Sequence, residues 1–167
     1  MVKKTTIQAR QVLQDLTPYT PGKPIWELKR ELGMQEVIKL ASNENPLGPS
    51  PKALQAITNA MSDLHRYPDA DASDLKQAIA FTLQLKIDQL IVTNGGDELI
   101  TLVSEAYLEP GDEVIIPEPT FSDYQFATIL MGASVRKVPL MEGYLYNTNA
   151  ILAAVTDRTK MVYLCSP

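Results

Sequence analysis

Apolar residues fall into distinct patterns along this chain, and each predicts a different kind of segment. Leu54, Ile57, Met61 and Leu64 recur at spacings of three, four and three, which lines one face of a helix as a buried stripe. Ser50 stands as the N-cap before Pro51, whose missing N–H costs nothing in a first turn. His65-Arg66-Tyr67-Pro68-Asp69 interrupts that helix. Ser73 is then expected to cap a second, with Leu75, Ile79 and Leu83 on one face. From Leu90 onward, short apolar runs alternate with helical periods. Strands are predicted at Leu90–Thr93, Glu113–Ile116, Ser134–Val138 and Lys160–Cys165. Helices are predicted at Asp97–Leu108, Ser122–Met131 and Thr148–Ala154, with Gly132 closing the middle one. Strand, helix and strand in this alternation predict an α/β fold around a mostly parallel sheet with flanking helices.

The region before Ser50 has a different character. Ile7, Val12, Leu13 and Leu16 give Thr6–Leu16 a partial apolar face, which predicts one helix. It should end before Pro18, because the residue preceding a proline avoids helical backbone. Pro18, Pro21, Pro24, Pro46 and Pro49 then predict a mostly extended path through Val37–Leu40. The chain therefore divides into an N-terminal arm, residues 1–49, and an α/β domain, residues 50–167. So proline-rich an arm cannot bury itself and must lie on its own domain or on a partner subunit.

Composition narrows the classes. At 45% hydrophobic residues the chain can build a real core. Fifteen Lys and Arg against twenty Asp and Glu give a net charge of −5, which argues against nucleic acid or an anionic membrane as the partner. The single cysteine, Cys165, excludes an internal disulfide and suits a reducing cytoplasm. With one histidine beside it, no Cys/His metal site is expected. There is no run long enough to span a bilayer and no signal-peptide core in Met1–Leu16, so the expected location is cytoplasmic.

Four segments carry candidate chemistry. Asn94-Gly95-Gly96-Asp97 joins a predicted strand to a helix N-terminus, where unpaired N–H groups and the helix dipole favour an anion. A tight turn in which Asp97 caps its own helix fits the loop equally well. The segment lacks both the dinucleotide fingerprint and the Walker lysine. Phe121, in Glu118-Pro119-Thr120-Phe121, follows the next strand at the sheet edge where ligands bind in open α/β folds. Its ring can stack on a planar heterocycle or simply cover the edge. Tyr67, in Arg66-Tyr67-Pro68, can donate to an anion or pack on a neighbour. Asn43, Glu44 and Asn45 stand in a row between an apolar stretch and a proline turn, as they also would in a plain loop.

Taken in order, these segments resemble the histidinol-phosphate aminotransferases, a branch of the fold-type I pyridoxal-phosphate (PLP) aminotransferases. The matching pieces are Leu40–Pro49, Arg66-Tyr67-Pro68, Thr93–Glu98, Pro110-Gly111-Asp112, Pro119-Thr120-Phe121 with Tyr124, and Ser166-Pro167. The resemblance implies an N-terminal arm plus the first half of the large PLP-binding domain. It implies that the N–H groups of Gly96 and Asp97 hold the cofactor phosphate and that Phe121 stacks on its ring. The Tyr67 hydroxyl would reach the cofactor phosphate of the neighbouring subunit in a homodimer. Tyr19, Asn43, Glu44 and Asn45 would line the substrate side. Two positions depart from the family pattern: residue 96 is usually Ala or Ser, and residue 121 is often Tyr. The implied reaction is amino transfer from L-glutamate to imidazole-acetol phosphate, giving histidinol phosphate and 2-oxoglutarate in histidine biosynthesis. The family's Schiff-base lysine, its pyridinium-pairing Asp and its substrate-gripping Arg are expected beyond residue 167. No catalytic residue is therefore expected in this chain, which alone is expected to be inactive. Two other readings remain: a related PLP enzyme, such as an aromatic aminotransferase or threonine-phosphate decarboxylase, and a non-catalytic α/β module for dimerisation or anion binding.

Overall fold

A computed structural model of the protein describes residues 7–14, 16, 17, 19 and 21–166. The chain divides into two compact units, one of residues 20–92 and one of residues 1–19 with 93–167.

The 20–92 unit carries three α-helices, α1 (Ile25–Leu32), α2 (Pro51–Ala60) and α3 (Ser73–Leu83). Helix α1 lies in the arm, where an extended path was expected. Its signals are punctuation rather than periodicity. Pro24 sits at the N-cap, its carbonyl accepting from the N–H groups of Glu27 and Leu28, and Gly33 ends the helix at φ 64°. The Arg30 guanidinium lies 5.2 Å from the Trp26 ring centre and covers it. Helix α2 starts at Pro51 as expected, although the Ser50 hydroxyl makes no capping bond, and it tightens into a 3₁₀ turn at Met61–Asp63. The expected cap of α3 differs: Ser73 is its first helical residue. Asp69 takes over, its carboxylate accepting from the N–H groups of Asp71 at 3.0 Å and Ser73 at 2.7 Å. Hydrogen bonds from Ser73 first, then from Asp71, hold the Asp69 carboxyl below the usual carboxylate range. The α2 stripe keeps its helical spacing but not its expected burial, since Leu54, Ile57, Met61 and Leu64 are all exposed.

The second unit opens on a 3₁₀ turn, Gln11–Leu13. It is the only helical piece found, among the described residues, where a helix over Thr6–Leu16 was expected; Thr6 and Asp15 lie outside them. Then follow α4 (Gly95–Tyr107), β1 (Glu113–Glu118), α5 (Asp123–Leu130), β2 (Ser134–Pro139), α6 (Thr148–Ala153) and β3 (Thr159–Val162). Gly132 closes α5 at φ 81°, as its place in the sequence predicts. The strand expected at Leu90–Thr93 does not form. A 3₁₀ turn at Ile87–Gln89 leads into Leu90, whose backbone is extended but has no partner strand among the described residues.

All pairing in the sheet is parallel and its order is β2-β1-β3, so the expected α/β class holds. Strand β1 is central, and Glu113 to Pro117 are buried, as a parallel strand covered on both faces should be. Val114 and Ile116 cluster with Leu108 and Ala133, and Tyr124, Met131, Val135, Met161 and Tyr163 pack against them. Strand β3 ends three residues before the expected Cys165. The last ladder bond runs from the Tyr163 N–H to the Ile115 carbonyl at 3.0 Å. The next parallel bond would need an N–H from Pro117, which has none.

At the opposite end of β1, one buried carboxylate ties three segments together. Glu113 is 2% exposed. It accepts from the Thr156 hydroxyl at 2.8 Å, Arg158 at 2.5 Å and Arg136 at 3.2 Å. The Thr156 bond, then the charges of Arg158 and Arg136, hold the carboxyl below its usual range against the opposing effect of burial. A carboxyl with a lowered folded-state pKa stabilises the fold above its unfolded pKa, and that contribution disappears as pH falls through the folded value. Acid unfolding followed by circular dichroism should therefore show part of its pH dependence vanish in Glu113→Gln. An acid limb identical to that of the unaltered protein would contradict this account of the Glu113 cluster.

Candidate functional site

Helix α4 begins where the sequence places an anion end. Gly95 has φ 80°, a conformation glycine adopts without penalty, and its N–H donates to the Thr93 carbonyl at 2.9 Å. The helix is closed by Glu98 rather than Asp97. The Glu98 carboxylate accepts from the Asn94 N–H at 2.5 Å and from the Asn94 side-chain amide at 3.1 Å. The Asp97 side chain is thus left out of the cap. Gly96 and Asp97 are exposed and lie in the first turn, where an N–H has no preceding helical carbonyl to reach. Apart from Gly96 itself, its chain neighbours and the helix backbone, no heavy atom lies within 4 Å of where a Gly96 Cβ would stand. The site therefore offers free backbone donors and room beside them, which suits a phosphate.

The other half of the site is aromatic. Phe121 is half-buried, just beyond the C-terminal end of β1. Tyr19 meets it edge-on with ring centres 5.7 Å apart, and Tyr124 meets it edge-on at 5.9 Å. Tyr19 also lines a cavity of about 200 Å³ with Asp97, Ile100, Thr101, Asp123, Phe126 and Ala127. So the structure brings together Tyr19, Phe121 and the first turn of α4, which lie far apart in sequence. Burial, and next the charge of Asp97, push the Asp123 carboxyl above its ordinary value. A larger cavity of about 470 Å³ opens beside Thr120, between the loop around Tyr144 and the Cys165-Ser166 end of the sheet.

Sequence reasoning named Tyr124 only as part of the Phe121 motif and gave no role to it, Tyr163 or Ser104. Tyr124 stacks on Tyr163 with ring centres 4.4 Å apart and planes inclined by 21°. The Tyr163 hydroxyl lies 3.1 Å from the hydroxyl of buried Ser104 in α4. Burial, then a hydrogen bond with Cys165, push the Tyr124 phenol up to about 12. The available signal is modest: Tyr124 falls about one helical turn beyond Phe121, and Tyr163 on an apolar strand.

The remaining predicted residues belong to the 20–92 unit. Tyr67 is fully exposed in the turn after α2. Asn43, Glu44 and Asn45 are exposed, and Asn43 has φ 50°, a conformation asparagine tolerates well. Glu44 pairs with Lys39. Asn45 is occupied by its own turn, accepting from the Leu47 N–H at 3.0 Å. Among the described residues, no helix is long and apolar enough to cross a membrane.

This arrangement belongs to a known class. Residues 35–167 match the family described as aminotransferase class I and II, and the chain belongs to that family. Its particular relatives are narrower in kind. The chain is 46% identical to the histidinol-phosphate aminotransferase of Moorella thermoacetica over 98% of its own length, spanning 42% of that protein. Among solved structures it resembles a putative histidinol-phosphate aminotransferase from Erwinia carotovora atroseptica, with TM-score 0.67 and 31% identity over 73% of this chain and 36% of that one. It also shares its fold with the histidinol-phosphate aminotransferase of Sinorhizobium meliloti solved with pyridoxal-5'-phosphate. That TM-score is 0.77, with 24% identity over 90% of this chain and 40% of that one. The chain thus spans less than half the length of the relatives it matches.

Proposed function

We propose that this chain is the N-terminal, cofactor-holding part of a PLP-dependent aminotransferase of histidine biosynthesis. The proposed reaction moves an amino group between glutamate and imidazole-acetol phosphate in the cytoplasm. The observation that carries the reading is the meeting of an open helix start and an aromatic face through Tyr19. The N–H groups of Gly96 and Asp97 donate to the phosphate, where the dipole of α4 adds to their effect. Phe121 presents its ring face to the heterocycle. Tyr19 stands against that ring, and the family resemblance gives Tyr19, Asn43, Glu44 and Asn45 substrate-binding roles. When bound, PLP supplies the electron sink for the carbanion, and the protein supplies orientation and electrostatics. Tyr67, exposed in a fixed turn, serves the cofactor phosphate of the partner in a homodimer. The 46% identity to the Moorella protein supports this substrate over those of other aminotransferases.

Three glycine substitutions test the backbone of this turn. Gly96→Ala should leave PLP affinity nearly unchanged, since space is open there and its φ is ordinary. Gly95→Ala should destabilise by about 1 kcal/mol, because φ 80° strains any residue with a Cβ. Gly96→Pro, which removes an N–H, should bind PLP worse than Gly96→Ala. Equal PLP affinities for the two Gly96 variants would count against the cradle. Substrate choice is tested by steady-state kinetics of the full-length protein with glutamate as donor. Imidazole-acetol phosphate should give a higher kcat/KM than aromatic 2-oxo acids. The reverse order would move the chain to a neighbouring branch.

A further inference from the structure

We propose that Tyr163 is a positioning residue that sets the spacing between the first turn of α4 and the Phe121 ring. The inference rests on the cofactor reading above and adds a residue to it. Ser104 lies about two turns along α4 from Gly96. Its hydroxyl is buried, and the hydroxyl of Tyr163 lies 3.1 Å away. Tyr163 is itself pinned to the central strand, its N–H donating to the Ile115 carbonyl at 3.0 Å. Its ring stacks on Tyr124 at 4.4 Å, and the Tyr124 and Phe121 rings form a T-shaped pair with centres 5.9 Å apart and planes nearly perpendicular. The helix that carries the anion end and the ring that carries the stacking face therefore converge on one side chain, which is anchored to the sheet. An α-helix is a stiff rod, so holding Ser104 also holds the first turn. Edge-on contacts restrict where the Phe121 ring can tilt.

A ligand that must satisfy both ends at once depends on this spacing, whereas one that engages only the ring does not. The Tyr163→Phe variant keeps the ring and its stack and removes only the hydroxyl. Ser104→Ala removes the other half of the same hydrogen bond. In the full-length protein, PLP and pyridoxal, which has no phosphate, are titrated against the unaltered protein, both single variants and the double variant. Each single substitution should weaken PLP about fivefold, the size of one ordinary hydrogen bond. Pyridoxal affinity should stay unchanged. The double variant should be no weaker than either single, because both lose one shared interaction. The visible circular dichroism of bound PLP should fall in Tyr163→Phe, because the phosphate end is no longer held at a fixed spacing from the ring.

Tyr163 is only core filling if Tyr163→Phe binds PLP like the unaltered protein. It is equally reduced to core filling if PLP and pyridoxal lose affinity by the same factor, or if the two single effects add. An unaltered protein that binds no PLP would remove the cofactor reading itself, and this proposal with it, which is a separate failure. Thermal melting of the cofactor-free variants shows that each is folded, so an affinity loss cannot be mistaken for unfolding.

Discussion

Replacing Phe121 with alanine is expected to weaken PLP retention by about 1–3 kcal/mol, the value of a lost aromatic stack and its buried area. Phe121 does two jobs in the structure. Its face is the proposed seat for the cofactor ring, and it also meets Tyr19 and Tyr124 in T-shaped contacts. Alanine removes both, so Tyr19 loses its support beside the α4 turn as well. Phe121→Tyr should be nearly silent, because the ring persists and the added hydroxyl sits where the side chain is only half-buried. Equilibrium titration with PLP measures the difference, and matching affinities for the Ala and Tyr variants would rule out Phe121 as the stacking ring.

The second large effect is expected in the core rather than at the site. Ile115 is fully buried in the central strand and is among the largest side chains with no exposure. Ile115→Ala should destabilise the protein by about 2–5 kcal/mol, from lost transfer energy and the cavity left behind. Because Ile115 also carries the last ladder bond to Tyr163, loosening here should extend toward the ring stack. Denaturant unfolding gives the loss directly. A change under about 0.5 kcal/mol, as at an ordinary surface position, would contradict the central place given to β1.

Local signals made much of the second unit legible. Helices α4 and α5 and strands β1 and β2 lie within two residues of where apolar spacing and glycine punctuation put them. Those elements are fixed by short-range chemistry: the Gly95 turn, the Gly132 stop and the runs of Val and Ile in β1. The failures have a common cause, which is dependence on a partner. Leu90–Thr93 has strand character, but pairing is what makes a strand. The early end of β3 is set by a proline on its neighbour, which no reading of Lys160–Cys165 by itself contains. The apolar stripe of α2 states that something should cover it without stating what. Helix α1 is a different kind of miss. The prolines of the arm predict extension throughout, yet Pro24 followed by Glu27 and Gly33 is also how a short helix begins and ends.

The site divides the same way. Gly95, Gly96 and Phe121 are recognisable because a glycine turn and an aromatic after a strand each have a physical use in a short window. Resemblance, rather than spacing, supplied Tyr19, which in the structure stands against Phe121. The contacts among Tyr124, Tyr163 and Ser104 join positions up to 59 residues apart, and nothing in a short window encodes them.

The central claim is that the α4 start and Phe121 together seat one phosphorylated heterocycle. It is tested most directly by a crystal structure of the full-length protein grown with PLP. Phosphate oxygens are expected within hydrogen-bonding distance of the Gly96 and Asp97 N–H groups, with the pyridine ring lying against Phe121. A phosphate bound elsewhere, or a ring that leaves Phe121 untouched, would contradict the claim.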